Sequence, residues 1–198
     1  MATRSLAILL FDNVEVLDFC GPFEVFSVVN RFTDPPAFNV LTVAEKSSPV
    51  ATRGGLSVNP HCQLDACPHA DLLLVPGGQG TRQEMHNPVL INWLQQASTK
   101  AELILSVCTG ALLLAKAGLL DGLEATTHHM SIDLLRQTAP RTTVHTDRRF
   151  VDNGWVITSA GIAAGIDMSL HVVGKLLGPE VADKIARRME YPWKHEGR

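Results

Sequence analysis

No apolar run in this 198-residue sequence is long enough to span a membrane. Linkers, repeats and low-complexity stretches are also lacking, so nothing divides the chain, and a single domain over residues 1–198 is expected. Neither sign of charge dominates. The formal net charge is −3 and the basic residues are scattered, which leaves no electrostatic footprint for nucleic acid. Cysteine is scarce: Cys20, Cys62, Cys67 and Cys108 form no C-x-x-C pair, and a domain of this size needs no disulfide framework. The segment from His61-Cys62 to Cys67-Pro68-His69 fits no common zinc spacing and reads as a turn before a strand, so no metal is expected. The apolar run over residues 1–11 enters Asp12-Asn13 without a small-residue cleavage signal, and a cytoplasmic location is the expectation.

What the chain does have is apolar residues, 45% of the total, arranged in short runs that alternate with helical patterns. Ser5–Phe11, Phe38–Ala44, Ala70–Val75 and Glu102–Val107 read as buried strands. Pro49–Pro60, with Gly54-Gly55 inside it, reads as a hairpin or a pair of edge strands. Glu124–Thr127 is a short strand, and Thr143–Phe150 and Trp155–Thr158 flank a second hairpin signal at Asn153-Gly154. Helices are expected from Gly21-Pro22 onward, over Val89–Ser98 behind an Asn87-Pro88 cap, and over Thr109–Ala117, Ser131–Thr138 and Ser159–Gly178, with a last one ending at Met189. The alternation implies an α/β fold, a doubly wound and mostly parallel sheet with helices on both faces. In such sheets the site lies at the carboxyl ends of the strands.

Cys108 sits at the seam between the Glu102–Val107 strand and the helix that follows. Ser106 and Gly110 flank it two residues away on either side, the cysteine version of the G-x-S-x-G nucleophile elbow. Small neighbours let the chain turn sharply there and hold one side chain out. The amides opening the next helix would favour a thiolate. A buried core cysteine fits the same spacing.

Three strand-end features meet Cys108 in this architecture. Asp18 is either a loop acid or helix cap, or a carboxyl facing the thiol and sharing a proton with it. Gly77 and Gly78 are either turn residues or donors of backbone N–H groups toward developing negative charge. His128 or His129 offers a base, although two adjacent residues on a strand cannot both face inward. Thr109 offers either a hydroxyl to substrate or a helix cap.

FDNVEVLDFCGPFEVF, LLLVPGGQG, SVCTGALLLAKAGLLDGLEATTHH and SAGIAAGID, in that order and across nearly the whole chain, resemble the ThiJ/PfpI superfamily. Within it, the sequence is most similar to the isocyanide hydratases and to the amidase-like sensor domains of AraC-type regulators. The resemblance implies a flavodoxin-like, glutamine-amidotransferase-like fold and a homodimer. It also implies Cys108 as nucleophile, Asp18 as its acidic partner, and Thr109 and the Gly77-Gly78 region around the substrate; Ile162 joins that substrate-binding set, and His128, read from its position, is the auxiliary candidate. The protease and deglycase branches place a histidine directly after the cysteine, where this chain has Thr109, and the acid is aspartate rather than glutamate. Both departures favour the hydratase branch. The tail, ending MEYPWKHEGR, is shorter than the proline-rich extension of the hydratases.

The activity so implied is hydration of a small organic isocyanide to an N-substituted formamide, with no metal or organic cofactor. Two alternatives are a small-molecule sensor module and a redox-sensing cysteine that oxidises beside its acid. Only a short charged tail follows the last expected helix, so neither a DNA-binding domain nor a nucleic-acid or membrane partner is expected.

Overall fold

The structure is a computed structural model that describes residues 2–193; residues 194–198, the end of the charged tail, lie outside it. In chain order the elements are β1 (Arg4–Leu10), α1 (Val16–Val29), β2 (Phe38–Ala44), β3 (Val50–Ala51), β4 (Ser57–Val58), β5 (Cys62–Gln63) and β6 (Leu72–Val75). There follow α2 (Thr81–Glu84), α3 (Pro88–Ser98), β7 (Leu103–Val107), α4 (Gly110–Lys116), β8 (Glu124–Ala125) and α5 (Ile132–Thr138). The last are β9 (Thr143–Val144), β10 (Phe150–Asp152), β11 (Val156–Ser159), α6 (Ala164–Leu177) and α7 (Pro179–Arg188).

Seven strands form the main sheet in the order β10-β11-β7-β6-β1-β2-β5. Every pairing in it is parallel except the edge hairpin β10–β11. The strands β1, β6 and β7 are apolar almost throughout because both faces are covered, the pattern of a doubly wound α/β fold. Helices α1, α6 and α7 pack together on one side, while α4 gathers α2, α3 and α5 on the other. The chain leaves β1 for β2 on one flank and returns to β6 on the other, so a crevice opens between β1 and β6.

Several boundaries differ from the sequence reading. Helix α1 starts at Val16, ahead of the expected opening at Gly21-Pro22, and Pro22 lies inside it. Pro22 cannot donate to the Asp18 carbonyl, yet the helix runs on because Phe19, Val25, Phe26, Val28 and Val29 are all buried. Asp18 is therefore a first-turn helical residue rather than a loop acid. The long helix expected over Ser159–Gly178 begins only at Ala164, since Ser159 still pairs with Val107 in the sheet. Thr143–Phe150 is not one strand: Thr143–Val144 pairs with Glu124–Ala125, and Phe150–Asp152 joins the hairpin across Asn153-Gly154. The edge strand β5 gave no apolar run to read, and it adds to β2 through Val43 and Ala44. The hairpin in the 49–60 segment is present as β3 and β4.

Candidate active site

Four adjacent strands, β1, β6, β7 and β11, end at the same edge of the sheet, and the segments leaving them build the site. Strand β7 ends at Val107, and Cys108 follows at φ 55°, a left-handed conformation that costs a non-glycine residue about 1–3 kcal/mol. Its backbone is tied on both sides. The N–H is shared between the Ser159 and Ala160 carbonyls at 3.2 Å each, and the carbonyl accepts the Thr127 hydroxyl at 2.7 Å. Gly110 opens α4 immediately beyond. A Cβ there would lie 2.0 Å from the Val75 carbonyl oxygen, so only glycine lets the helix start against the end of β6.

Asp18 is fully buried. Its Oδ2 accepts the Gly77 N–H at 2.9 Å, while Oδ1 has no partner in hydrogen-bond geometry. Burial pushes this carboxyl up to about 7, against the downward pull of the Gly77 amide. The Cys108 thiol is pushed up to about 12, first by burial and then by the charge of Asp18; the Thr109 and Ile162 amides pull it down and are outweighed. The expected bias toward thiolate is thus reversed, because removal from water exceeds the effect of the nearby amides. The charge of Asp18 raises the cost of ionising Cys108, while a hydrogen bond from the thiol eases the ionisation of Asp18; together the two groups retain a proton at neutral pH.

Thr109 caps no helix amide. Its hydroxyl oxygen instead accepts the Gly78 N–H at 2.9 Å and lies 3.1 Å from the Gly78 carbonyl, to which it donates. The amides of both glycines are therefore engaged, Gly77 by Asp18 and Gly78 by Thr109, and those directed at the sulfur belong to Thr109 and Ile162. Ile162, in the connection from β11 to α6, is itself left-handed at φ 54°, which is rare for a β-branched residue. His128 lies against Gly161, where a Cβ would come within 2.2 Å of its ring. Its Nδ1 accepts the Met130 N–H at 3.3 Å and its ring stacks on His129 at 4.3 Å. Burial lowers its proton affinity, and the charges of His129, Arg82 and Arg53, in that order, lower it further.

A cavity of about 220 Å³ opens over this arrangement, walled by Cys108, Thr109, Gly78, His128 and Ile162. Asp18 and Gly77 stand behind that wall. Sequence reasoning did not single out Glu15, Arg53 and Arg82, which supply the charge at the cavity mouth. Their signal was position: each lies in a segment leaving a strand end or in the rim hairpin. No group of three or more histidine, cysteine or carboxylate side chains among the described residues is placed to hold a metal ion.

A flavodoxin-like sheet that presents a cysteine on a strand-to-helix elbow, backed by a buried acid, defines a class of α/β proteins. The chain belongs to the DJ-1/PfpI family, whose model matches residues 4–175. It is 33% identical over 186 residues to an isonitrile hydratase of Pseudomonas putida, covering 94% of this chain and 78% of that one. It is also 33% identical over 181 residues to the HTH-type transcriptional regulator CdhR of Pseudomonas aeruginosa, covering 91% of this chain and 53% of the regulator. The chain thus spans about half the length of that regulator. Among solved structures, a ThiJ/PfpI family protein from Pseudomonas syringae superposes with a TM-score of 0.88 at 29% identity, covering 98% of this chain and 77% of that one. No helix among the described residues is long and apolar enough to cross a membrane.

Proposed function

We propose that this chain is a cysteine-dependent hydratase that converts a small organic isocyanide to an N-substituted formamide. The observation that carries the reading is the buried Asp18 carboxyl beside the buried Cys108 thiol at the elbow, in a chain 33% identical to an isonitrile hydratase. The one-proton pair interconverts between thiol with carboxylate and thiolate with carboxylic acid. The second form is the reactive one. Sulfur attacks the terminal carbon of R–N≡C, forming the S–C bond, and the carbon takes the Asp18 proton to give a thioimidate. Water then adds across the C=N bond, its hydroxyl to that carbon and its proton to nitrogen by way of His128 on the cavity wall; collapse breaks the S–C bond, the hydroxyl proton returns to the Asp18 carboxylate, and thiolate and R–NH–CHO separate. The amides of Thr109 and Ile162 hold the sulfur as it gains and loses charge. Ile162 and Met130 give the cavity an apolar wall for the substituent R.

The family resemblance supports a homodimer, and the expectations of a single domain and a cytoplasmic location carry over from the sequence. Light scattering that gives a monomer mass at micromolar concentration overturns the dimer. For the activity, purified protein is assayed against a simple aryl isocyanide while the formamide is followed. Turnover that disappears on alkylation of Cys108 is expected, and absence of turnover with every isocyanide overturns the reading. A second reading, a small-molecule sensor module, is favoured by the match to a transcriptional regulator at the same identity. Binding of small apolar ligands without turnover is its mark.

A further inference from the structure

Among the described residues, Arg82 at the cavity mouth forms no ion pair. Arg53 pairs with Glu15 at 3.5 Å, which neutralises both. Arg82, on α2, bonds among the described residues to neutral partners: the Gly78 carbonyl at 3.3 Å, the Thr81 hydroxyl at 3.1 Å and the Ser131 hydroxyl at 2.9 Å. Among the described residues no carboxylate lies within ion-pair distance of it. These bonds use one terminal nitrogen twice and the other once, so the guanidinium keeps donors to spare. The same bonds fix its position relative to the nucleophile. The Gly78 carbonyl that accepts from Arg82 also accepts from Thr109, the residue next to Cys108. The Ser131 that holds its other end is buried. A charged, half-buried and anchored arginine on a cavity wall, with N–H groups on Nε and one terminal nitrogen left over, is the arrangement that receives a planar anion.

We propose that Arg82 is a specificity-determining residue: the substrate taken at Cys108 bears a carboxylate, which Arg82 receives at the cavity mouth while the reacting carbon meets the sulfur. A cavity of about 220 Å³ limits the link between the two ends to a short one. Exposed Ile162 and Met130 supply the apolar surface along which that link lies. The inference takes from the proposed function only that Cys108 is a nucleophile toward an isocyanide.

Two reagents of equal size and opposite charge character test it without requiring turnover. Iodoacetate and iodoacetamide each lose iodide as the S–C bond forms, and the thiol proton goes to solvent. Their rates at Cys108 are read by peptide-resolved mass spectrometry. Any general effect of Arg82 on the thiol changes both rates alike, so their ratio isolates recognition of the carboxylate. Arg82→Gln should lower the iodoacetate-to-iodoacetamide ratio about tenfold, the effect of one charge-assisted hydrogen bond. Arg82→Lys keeps the charge but loses the planar guanidinium and the bond to Ser131, so its ratio should fall between those of wild type and Arg82→Gln. The wild-type ratio should also fall as salt rises. In the turnover assay, isocyanoacetate should exceed its methyl ester in kcat/KM by a similar factor, and Arg82→Gln should erase the difference. A ratio unchanged in Arg82→Gln overturns the proposal, whatever isocyanides the protein hydrates, and so does equal turnover of acid and ester. If no isocyanide is hydrated while the alkylation ratio still falls in Arg82→Gln, the hydratase reading fails and the anion subsite stands.

Discussion

Gly77 donates its amide hydrogen to Oδ2 of Asp18 at 2.9 Å, so the acid on α1 is held by the turn that ends β6. The contact leaves no room for a side chain. A Cβ on Gly77 would sit 2.5 Å from the Thr109 nitrogen, 2.6 Å from its hydroxyl and 2.9 Å from Asp18 Oδ2. Gly77→Ala should therefore displace the acid, the threonine or both. We expect a loss of about 1–3 kcal/mol in denaturant unfolding, with turnover reduced at least as far as by Asp18→Asn. Wild-type turnover in Gly77→Ala would show that the placement of Asp18 has no part in the chemistry.

Asp18 makes the fold more stable in acid than in base. Its folded-state value, about 7, lies above the ordinary aspartate value of 3.8, so between these limits the folded chain binds a proton that the unfolded chain has released. Stability falls as pH rises through that interval, and the full cost is present above about 7. Asp18→Asn removes the titration. Urea unfolding at pH 8 should find the variant more stable than wild type, with a ceiling of about 4 kcal/mol, and the difference should shrink toward pH 4. A wild-type advantage that grows with pH is the contrary result.

Loss of the two groups should have different kinetic consequences. Cys108→Ala removes the only group able to form the thioimidate, so turnover should vanish while the fold survives. Asp18→Asn keeps the shape but cannot pass a proton, so Cys108 should still be alkylated while turnover falls about 100-fold or more. In wild type, kcat/KM should rise with pH around 7, as the pair gives up its first proton, and stay high into the alkaline range. That rise should be absent in Asp18→Asn. Hydration of an isocyanide by Cys108→Ala would refute the covalent route.

The elbow should reverse an ordinary preference. Alanine normally exceeds glycine in stability, but Cys108 sits at φ 55°, where a Cβ is strained. Cys108→Gly should therefore be more stable than Cys108→Ala by about 1 kcal/mol in thermal or urea unfolding. An alanine variant that is the more stable of the two would mean the turn relaxes once the sulfur is gone.

The sequence was most legible where one physical signal acted alone. Apolar runs over Phe38–Ala44 and Leu103–Val107 have one reading, and the small residues around Cys108 allow its turn. Pro22 misled because its preference for a first helical position was countered by buried side chains on either side of it, which no local rule weighs. Strand β5 was invisible because its two residues are half-buried and polar or small, and only pairing with β2 makes them a strand. Arg82 and Ser131 lie 49 residues apart, and nothing local announces that they meet. The direction of the Cys108 shift was likewise out of reach, since it depends on how completely the fold excludes water from the pair.

The left-handed backbone of Cys108 is fastened by the Thr127 hydroxyl and the Ser159 and Ala160 carbonyls, none of which lines the cavity. The turn and the reacting atom are consequently separate inheritances. A lineage can exchange the thiol, the acid behind it or the rim charges and still pass on the same elbow. That independence gives a physical basis for a fold family in which an isonitrile hydratase and a transcriptional regulator share the same 33% identity with this chain.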